Sequence, residues 1–166
     1  MAREMNIKPN VFQKFVHRLL MLRPVSAFLS LVLHYADSFL LRLTRGRYTV
    51  TRLVGLPVIQ LTTKGAKTGQ LRTIPLVSVR DGATIAIIAS NFGGKHSPGW
   101  YYNLKANPEC EVKVHGMLKT FIARETSGDE YHHYWMTAVS LYAGYEKYKK
   151  RASHRHIHVM VLEPKK

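Results

Sequence analysis

PVIQLTTKGAKTGQLRTIPLVSVRDGATIAIIAS, residues 57–90, places three apolar runs of strand-like period around two unlike turns. Pro57 to Thr63, Gln70 to Arg80 and Thr84 to Ser90 read as β-strands. Asp81-Gly82 joins the second and third, a pairing that suits the positive φ angles of a tight hairpin. The first turn is different in kind: Lys64-Gly65-Ala66-Lys67-Thr68-Gly69, with Arg72 just beyond it. Its glycines let the backbone bend so that successive N–H groups can face an anion. Lysine adds a point charge, and arginine a planar fork suited to phosphate or carboxylate. Two readings fit these residues, a clamp for an elongated anion and a plain hairpin with solvated lysines.

Downstream, Cys110 to His115 and Leu118 to Arg124 make another hairpin around Gly116, and a last strand runs from about His156 to Leu162, closing at Pro164. A short helix is expected to start near Pro98, and Asp129 to Arg151 should be helical with a break at Gly144. Six antiparallel strands with inserted helix predict an α+β, mainly β, fold: a small closed or half-closed barrel.

Upstream, Phe12, Phe15, Val16, Leu19 and Leu20 follow helical spacing until Pro24 interrupts it. A second helix is expected from Val25 to Leu43. Its line of Ser26, Ser30, His34, Ser38 and Arg42 opposes the apolar face and argues against a bilayer-spanning helix. Lys14, Arg18 and Arg23 flank the first apolar face. That pattern fits a helix lying on an anionic membrane surface, and equally one packed on the core or a second subunit. The expected division is a helical extension over 1–45 and a barrel over 46–166. A small-residue cleavage pattern is not evident, so the expected location is cytoplasmic, with peripheral attachment to the inner face of the membrane on the surface-helix reading.

The chain has 25 Lys and Arg against 10 Asp and Glu, a formal net charge of +15. That excess attracts nucleic acid, anionic lipid or a polyanionic small molecule. The charge is spread along the chain, with 8 basic and 2 acidic residues in the first fifty and 17 and 8 in the rest. A detachable nucleic-acid arm would be more lopsided, and neither an RNP-like aromatic signature nor a helix-turn-helix pattern supports nucleic acid as a partner. Cys110 is the only cysteine, which excludes an intramolecular disulfide and a cysteine-based zinc site. His154, His156 and His158 alternate, so an extended strand would set all three on one face. Few carboxylates lie nearby to support a metal, and no metal is expected. Scarce acidic residues and the absence of a Gly-x-Ser-x-Gly motif also disfavour hydrolytic chemistry.

Several ordered motifs combine: Leu-Thr-Thr-x-Gly-x-Lys-Thr-Gly-x-x-Arg from Leu61, Ala-Ser-Asn-Phe-Gly-Gly from Ala89, and Pro-x-Trp-Tyr-x-Asn-Leu-x-Ala-Asn-Pro from Pro98. Tyr142-Ala-Gly-Tyr145 and a terminal Val-x-Val-Leu-Glu-Pro follow. Over about residues 44–164 the chain resembles the deazaflavin-dependent nitroreductases, also called coenzyme F-420-dependent quinone reductases. The resemblance implies a split β-barrel, like that of FMN-binding pyridoxamine-oxidase relatives. It also implies hydride transfer from reduced coenzyme F-420 to a quinone, nitroaromatic or similar electron-poor acceptor.

By the same resemblance, Lys67 and Arg72 match phosphate-binding positions, and Lys64 lies within reach of the carboxylates further along the coenzyme's tail. Thr68, Gly69, Pro75, Ser90, Asn91 and Trp100 complete the implied cofactor set. Trp100 also reads as a core aromatic, and Asn103 and Asn107 as capping or structural residues. Tyr142 and Tyr145, with Ser90, are the implied catalytic side. Tyr142, Tyr145 and Tyr148 recur every three residues, which on one helix would align their hydroxyls along a ligand edge; an aromatic stripe packed on the barrel fits the same spacing. Ala66 departs from the family, where a basic residue is frequent, and implies a thinner cationic rim. An FMN-dependent reductase and a noncatalytic deazaflavin or lipid carrier are the alternatives, and a homodimer across the sheets is the family-based expectation.

Overall fold

A computed structural model describes residues 56–165 apart from His115; the upstream helices and the division near residue 45 lie outside the described residues. The strands are β1 (Val58–Lys64), β2 (Leu71–Asp81), β3 (Thr84–Ile88), β4 (Glu109–Val114), β5 (Met117–Glu125) and β6 (Val159–Pro164). They close into an antiparallel barrel in the order β1-β2-β3-β6-β5-β4. The register runs from Lys64↔Leu71 and Thr63↔Cys110 on either side of β1 to Ile88↔Val159 and Glu125↔Met160 across β6.

Alternation decides what each strand buries. Ile85 and Ile87 of β3 and Met160 and Leu162 of β6 fill the barrel with Ile59, Leu61, Val112 and Phe121. Their neighbours Ala86, Ile88, Val159 and Val161 turn outward. This outer apolar face is covered by helices that carry a matching apolar stripe, Tyr134, Trp135 and Ala138 among them. Each fully buried Leu or Ile side chain contributes roughly 1.5–3 kcal/mol, so interior and flank both hold the fold.

Three helices complete the described chain: α1 (Gly99–Ala106), α2 (Gly128–Leu141) and α3 (Gly144–Arg151). α1 starts after Pro98 and lies against β1 and β5. α2 packs on β2, β3 and β6, with Asp129 and Glu130 in its first turn where the helix dipole favours them. α3 has Lys149, Lys150 and Arg151 in its last turn and packs on α2 and on a short 3-10 turn, Asn91–Gly93.

Two expectations need correction. The last strand begins at Val159, not His156, because the chain is still turning out of α3 through Ser153 and His154. The three histidines therefore do not share a strand face: His154 Nε2 lies 3.1 Å from the Lys95 carbonyl oxygen, whereas the His156 and His158 rings are 5.1 Å apart. The tyrosine spacing is also interrupted. Tyr142 is extended at the end of α2 (φ −149°), and only Tyr145 and Tyr148 lie on α3. Gly144 is required there because a Cβ would overlap the Tyr142 ring.

Candidate functional site

Antiparallel closure brings the end of β1, β3 and β5 and the start of β2, β4 and β6 to one rim. The basic turn, the Ser90 turn and the polar end of β5 therefore meet at the same mouth, with α1 against it. The opposite rim carries the Asp81-Gly82 and Gly116 hairpins.

In the basic turn the Gly65 N–H donates to the Gln70 carbonyl and the Gly69 N–H to the Gly65 carbonyl, both at 2.8 Å. Gly69 sits at φ +68°, and a Cβ on Gly65 would come within 2.7 Å of Thr68 Oγ1. Asn103 of α1 locks the turn from below: its Oδ1 accepts from the Ala66 N–H and its Nδ2 donates to Thr63 Oγ1, each at 3.0 Å. Asn107 Nδ2 reaches the Lys64 carbonyl at 3.5 Å. Both asparagines are structural, as expected, but what they hold is the basic turn.

The turn differs from a fully open anion nest. The N–H groups of Gly65, Ala66, Gly69 and Gln70 are engaged within the protein, leaving those of Lys67 and Thr68. The cations are differently placed. Lys64, Lys67 and Arg72 are exposed and have no carboxylate partner among the described residues. Arg72 pairs with Thr63 and shares the strand face of Ile74 and Leu76, so it rises from the inner wall at the mouth. Pro75 is not brought to the rim: it lies mid-strand opposite Gln60, on the other face.

The second turn is built in the reverse way. Ser90 is buried, and Asn91 and Phe92 adopt left-handed backbone angles (φ 45° and 55°). Two consecutive non-glycine residues in that region cost of order 1 kcal/mol or more each and persist only where surroundings enforce them. Asn91 Nδ2 donates to the His96 carbonyl at 2.9 Å, and Phe92 packs edge-on to Tyr148 with centroids 5.7 Å apart. Gly93 (φ +79°) touches α3 so closely that a Cβ would lie 2.8 Å from the Tyr148 carbonyl. Arg155, which sequence reasoning passed over, donates to the carbonyls of Ser90 (2.7 Å) and Gly94 (3.0 Å). Its position after α3 offered no motif; only the folded chain brings it under a turn some sixty residues away.

Tyr142, Tyr145 and Tyr148 form a buried cluster against the flank of the barrel. The Tyr142 and Tyr148 hydroxyls are 3.1 Å apart, and the Tyr145 ring is edge-on to both. Burial pushes all three phenols above their ordinary range. They are therefore neutral donors. Trp100 is buried with the barrel interior, which agrees with its core reading.

At the end of β5, Glu125 receives Lys105 Nζ (3.0 Å) and the Tyr101 hydroxyl (3.2 Å) from α1, and lies 2.5 Å from His158 Nδ1. Burial raises the Glu125 carboxyl, but the hydrogen bonds from Lys105 and His158 outweigh it and hold the group below the usual carboxylate range. Tyr101, stacked on His158 with centroids 4.3 Å apart, is pushed up to about 12 by burial and by the Glu125 charge. No cluster suited to a metal ion occurs among the described residues, nor is any described helix long and apolar enough to cross a membrane.

Comparisons with known proteins agree with this frame. The family described as F420H(2)-dependent quinone reductase matches residues 37–164. The F420H(2)-dependent quinone reductase of Mycobacterium tuberculosis (strain H37Rv) is 53% identical over 58 residues, and that match spans 35% of this chain and only 39% of the relative. A solved F420-H2 dependent reductase superposes with a TM-score of 0.60 at 37% identity, covering 64% of this chain and 94% of the other. A structure described as a domain-swapped dimer gives 0.62 at 36% identity, covering 72% and 87%. With six antiparallel strands closed as described and a family match over most of its length, the chain belongs to the F420H(2)-dependent quinone reductase family.

Proposed function

We propose that this protein reduces a quinone or a similarly electron-poor acceptor, such as a nitroaromatic, with reduced coenzyme F-420 as the hydride donor. The observation that carries the reading is the set of three cations with no carboxylate partner among the described residues, around a braced glycine turn, in a chain of this family. Such a set fits the phosphodiester and glutamate tail of a deazaflavin. Lys67 and Arg72 hold the phosphate, with the Lys67 and Thr68 N–H groups beside them, and Lys64 reaches carboxylates further out. Ala66 contributes only its backbone, to Asn103.

The bound coenzyme supplies the hydride, and the protein supplies orientation and electrostatics. The Ser90 turn and the tyrosine cluster offer the shape and hydrogen-bond donors that a flat acceptor needs. Negative charge developing on an acceptor oxygen requires a donor that is already positioned. Ser90, Tyr142 and Tyr145 serve that role here; the serine hydroxyl and the two phenols are neutral and donate hydrogen bonds as they stand. Because Tyr145 is buried and Tyr142 is bonded to Tyr148, acceptor binding must open part of this cluster.

The N-terminal basic segment belongs to the same reading as an attachment to anionic lipid beside membrane quinones, and a homodimer as its assembly. Titration of the purified protein with reduced and oxidised coenzyme F-420, followed by steady-state reduction of menadione, tests the proposal. Binding with turnover supports it. Binding without turnover leaves a carrier, and turnover only with FMN reassigns the cofactor.

A further inference from the structure

Among the described residues, Arg155 is the cation at this mouth that is turned inward. It stands in the connection between α3 and β6, its N–H bonded to the Ala152 carbonyl at 2.9 Å. All three guanidinium nitrogens are committed to neutral oxygens. Nε donates to the Gly94 carbonyl at 3.0 Å and one terminal nitrogen to the Ser90 carbonyl at 2.7 Å. The other lies 3.3 Å from the Ala89 carbonyl, 3.4 Å from Ser97 Oγ and 3.1 Å from the His156 carbonyl. Lys64, Lys67 and Arg72 offer charge to solvent; apart from the His156 carbonyl, Arg155 spends its donors on one loop.

The loop it holds is the strained one. Its contacts bracket Asn91 and Phe92, the two described non-glycine residues at positive φ. A trans peptide points its C=O and the following N–H to opposite sides. Drawing the Ser90 carbonyl onto Arg155 therefore turns the Asn91 N–H away from the guanidinium, and drawing in Gly94 does the same for Lys95. His154, from the same connection, meets the Lys95 carbonyl, and Gly93 is pressed against Tyr148. The α3–β6 connection thus acts as a mould for residues 89–97.

We propose that Arg155 is a positioning residue for the acceptor side of the site: it enforces the left-handed Ser90–Gly94 turn and so aims the backbone donors that meet the acceptor, without binding the coenzyme's tail. This inference rests on the proposed reductase reading and adds a residue to it. Lysine cannot replace the fork, since an ammonium cannot span carbonyls spaced along a loop as a planar guanidinium does.

The test uses the full chain with Arg155→Lys and Arg155→Ala. Coenzyme-free protein is followed by amide hydrogen exchange. Reduced coenzyme F-420 affinity, menadione kcat and KM, and Tm are measured beside it, with Lys67→Ala as the contrast. Arg155→Lys is expected to speed exchange over residues 90–97 but not over 64–70, and to lower menadione kcat by about tenfold to a hundredfold. Coenzyme affinity should stay within about twofold of wild type. Added guanidinium should restore part of the turnover of Arg155→Ala. Unchanged exchange over 90–97 in Arg155→Lys, or a loss of coenzyme affinity equal to that of Lys67→Ala, overturns the inference while leaving the reductase reading intact. If Arg155→Ala fails to fold, Arg155→Lys alone decides by the same two readouts. A wild-type protein that neither binds the reduced coenzyme nor reduces menadione overturns both.

Discussion

The two turns at the working rim solve opposite problems. Between β1 and β2, backbone bonds and Asn103 satisfy most of the turn's own polar groups, leaving the charges of Lys64, Lys67 and Arg72 pointing outward. After β3, the polar groups are gathered inward by Arg155 and Asn91, and the strain of two left-handed residues is borne by contact with α3. One turn is built to meet a charge, the other to keep a shape. Substitutions at the first should therefore change affinity more than stability, and at the second stability and rate more than affinity.

Glycine substitutions give the sharpest test of that contrast. Gly93→Ala combines positive φ with a Cβ driven into the Tyr148 backbone, and should cost roughly 3 kcal/mol in urea unfolding. Gly69→Ala has the same sign of φ, but its Cβ would meet nothing nearer than Lys64 Cε at 3.9 Å; about 1 kcal/mol is expected. Equal losses at both positions would erase the distinction between the turns.

Lys67→Ala and Arg72→Ala should each weaken reduced coenzyme F-420 binding by about tenfold or more, in a fluorescence titration whose affinity falls with added salt. Tm should hardly move, because neither side chain has a partner to lose among the described residues. On the shape-keeping side, Tyr142→Phe removes the hydroxyl facing Tyr148 and should cost about 1 kcal/mol of stability. It should also lower menadione turnover more than coenzyme affinity; an unchanged kcat would remove that phenol from the reaction.

The smallest effect belongs to the α1 brace. Glu125 titrates lower in the folded protein than in the unfolded chain, so its bonds to Lys105 and His158 stabilise fully above the ordinary carboxylate pKa of about 4.3, and that contribution is lost as pH falls from there through the lower folded value. Thermal melts of Glu125→Gln should lie below wild type near neutral pH and converge with it in acid. Curves that stay parallel down to about pH 3 would assign the difference to packing instead.

Strand positions, the local hairpins and the basic turn were legible because period-two alternation and glycine turns are local signals, whereas the β1·β4 and β3·β6 pairings that close the barrel were not. Val58–Lys64 and Leu71–Asp81 differ from the expected spans by a residue at each end. What escaped was what depends on distant chain. Arg155 has no meaning until α3 delivers it under Ser90, and Asn103, readable as a capping or structural residue, shows what it braces only where α1 meets the turn. Pro75, implied as part of the cofactor set by the resemblance, lies three residues along the strand from Arg72, which reverses the face and moves about a nanometre. The tyrosine pattern suggested one helix, but extended Tyr142 breaks it, and the hydroxyls turn toward one another.

β6 ends at the rim away from both turns, so Pro164 stands on the far side of the barrel. A reporter or surface tether joined beyond Pro164 would therefore start some six residues of strand away from the mouth. The molecule can be fixed by its back with its entrance left open to the surrounding fluid.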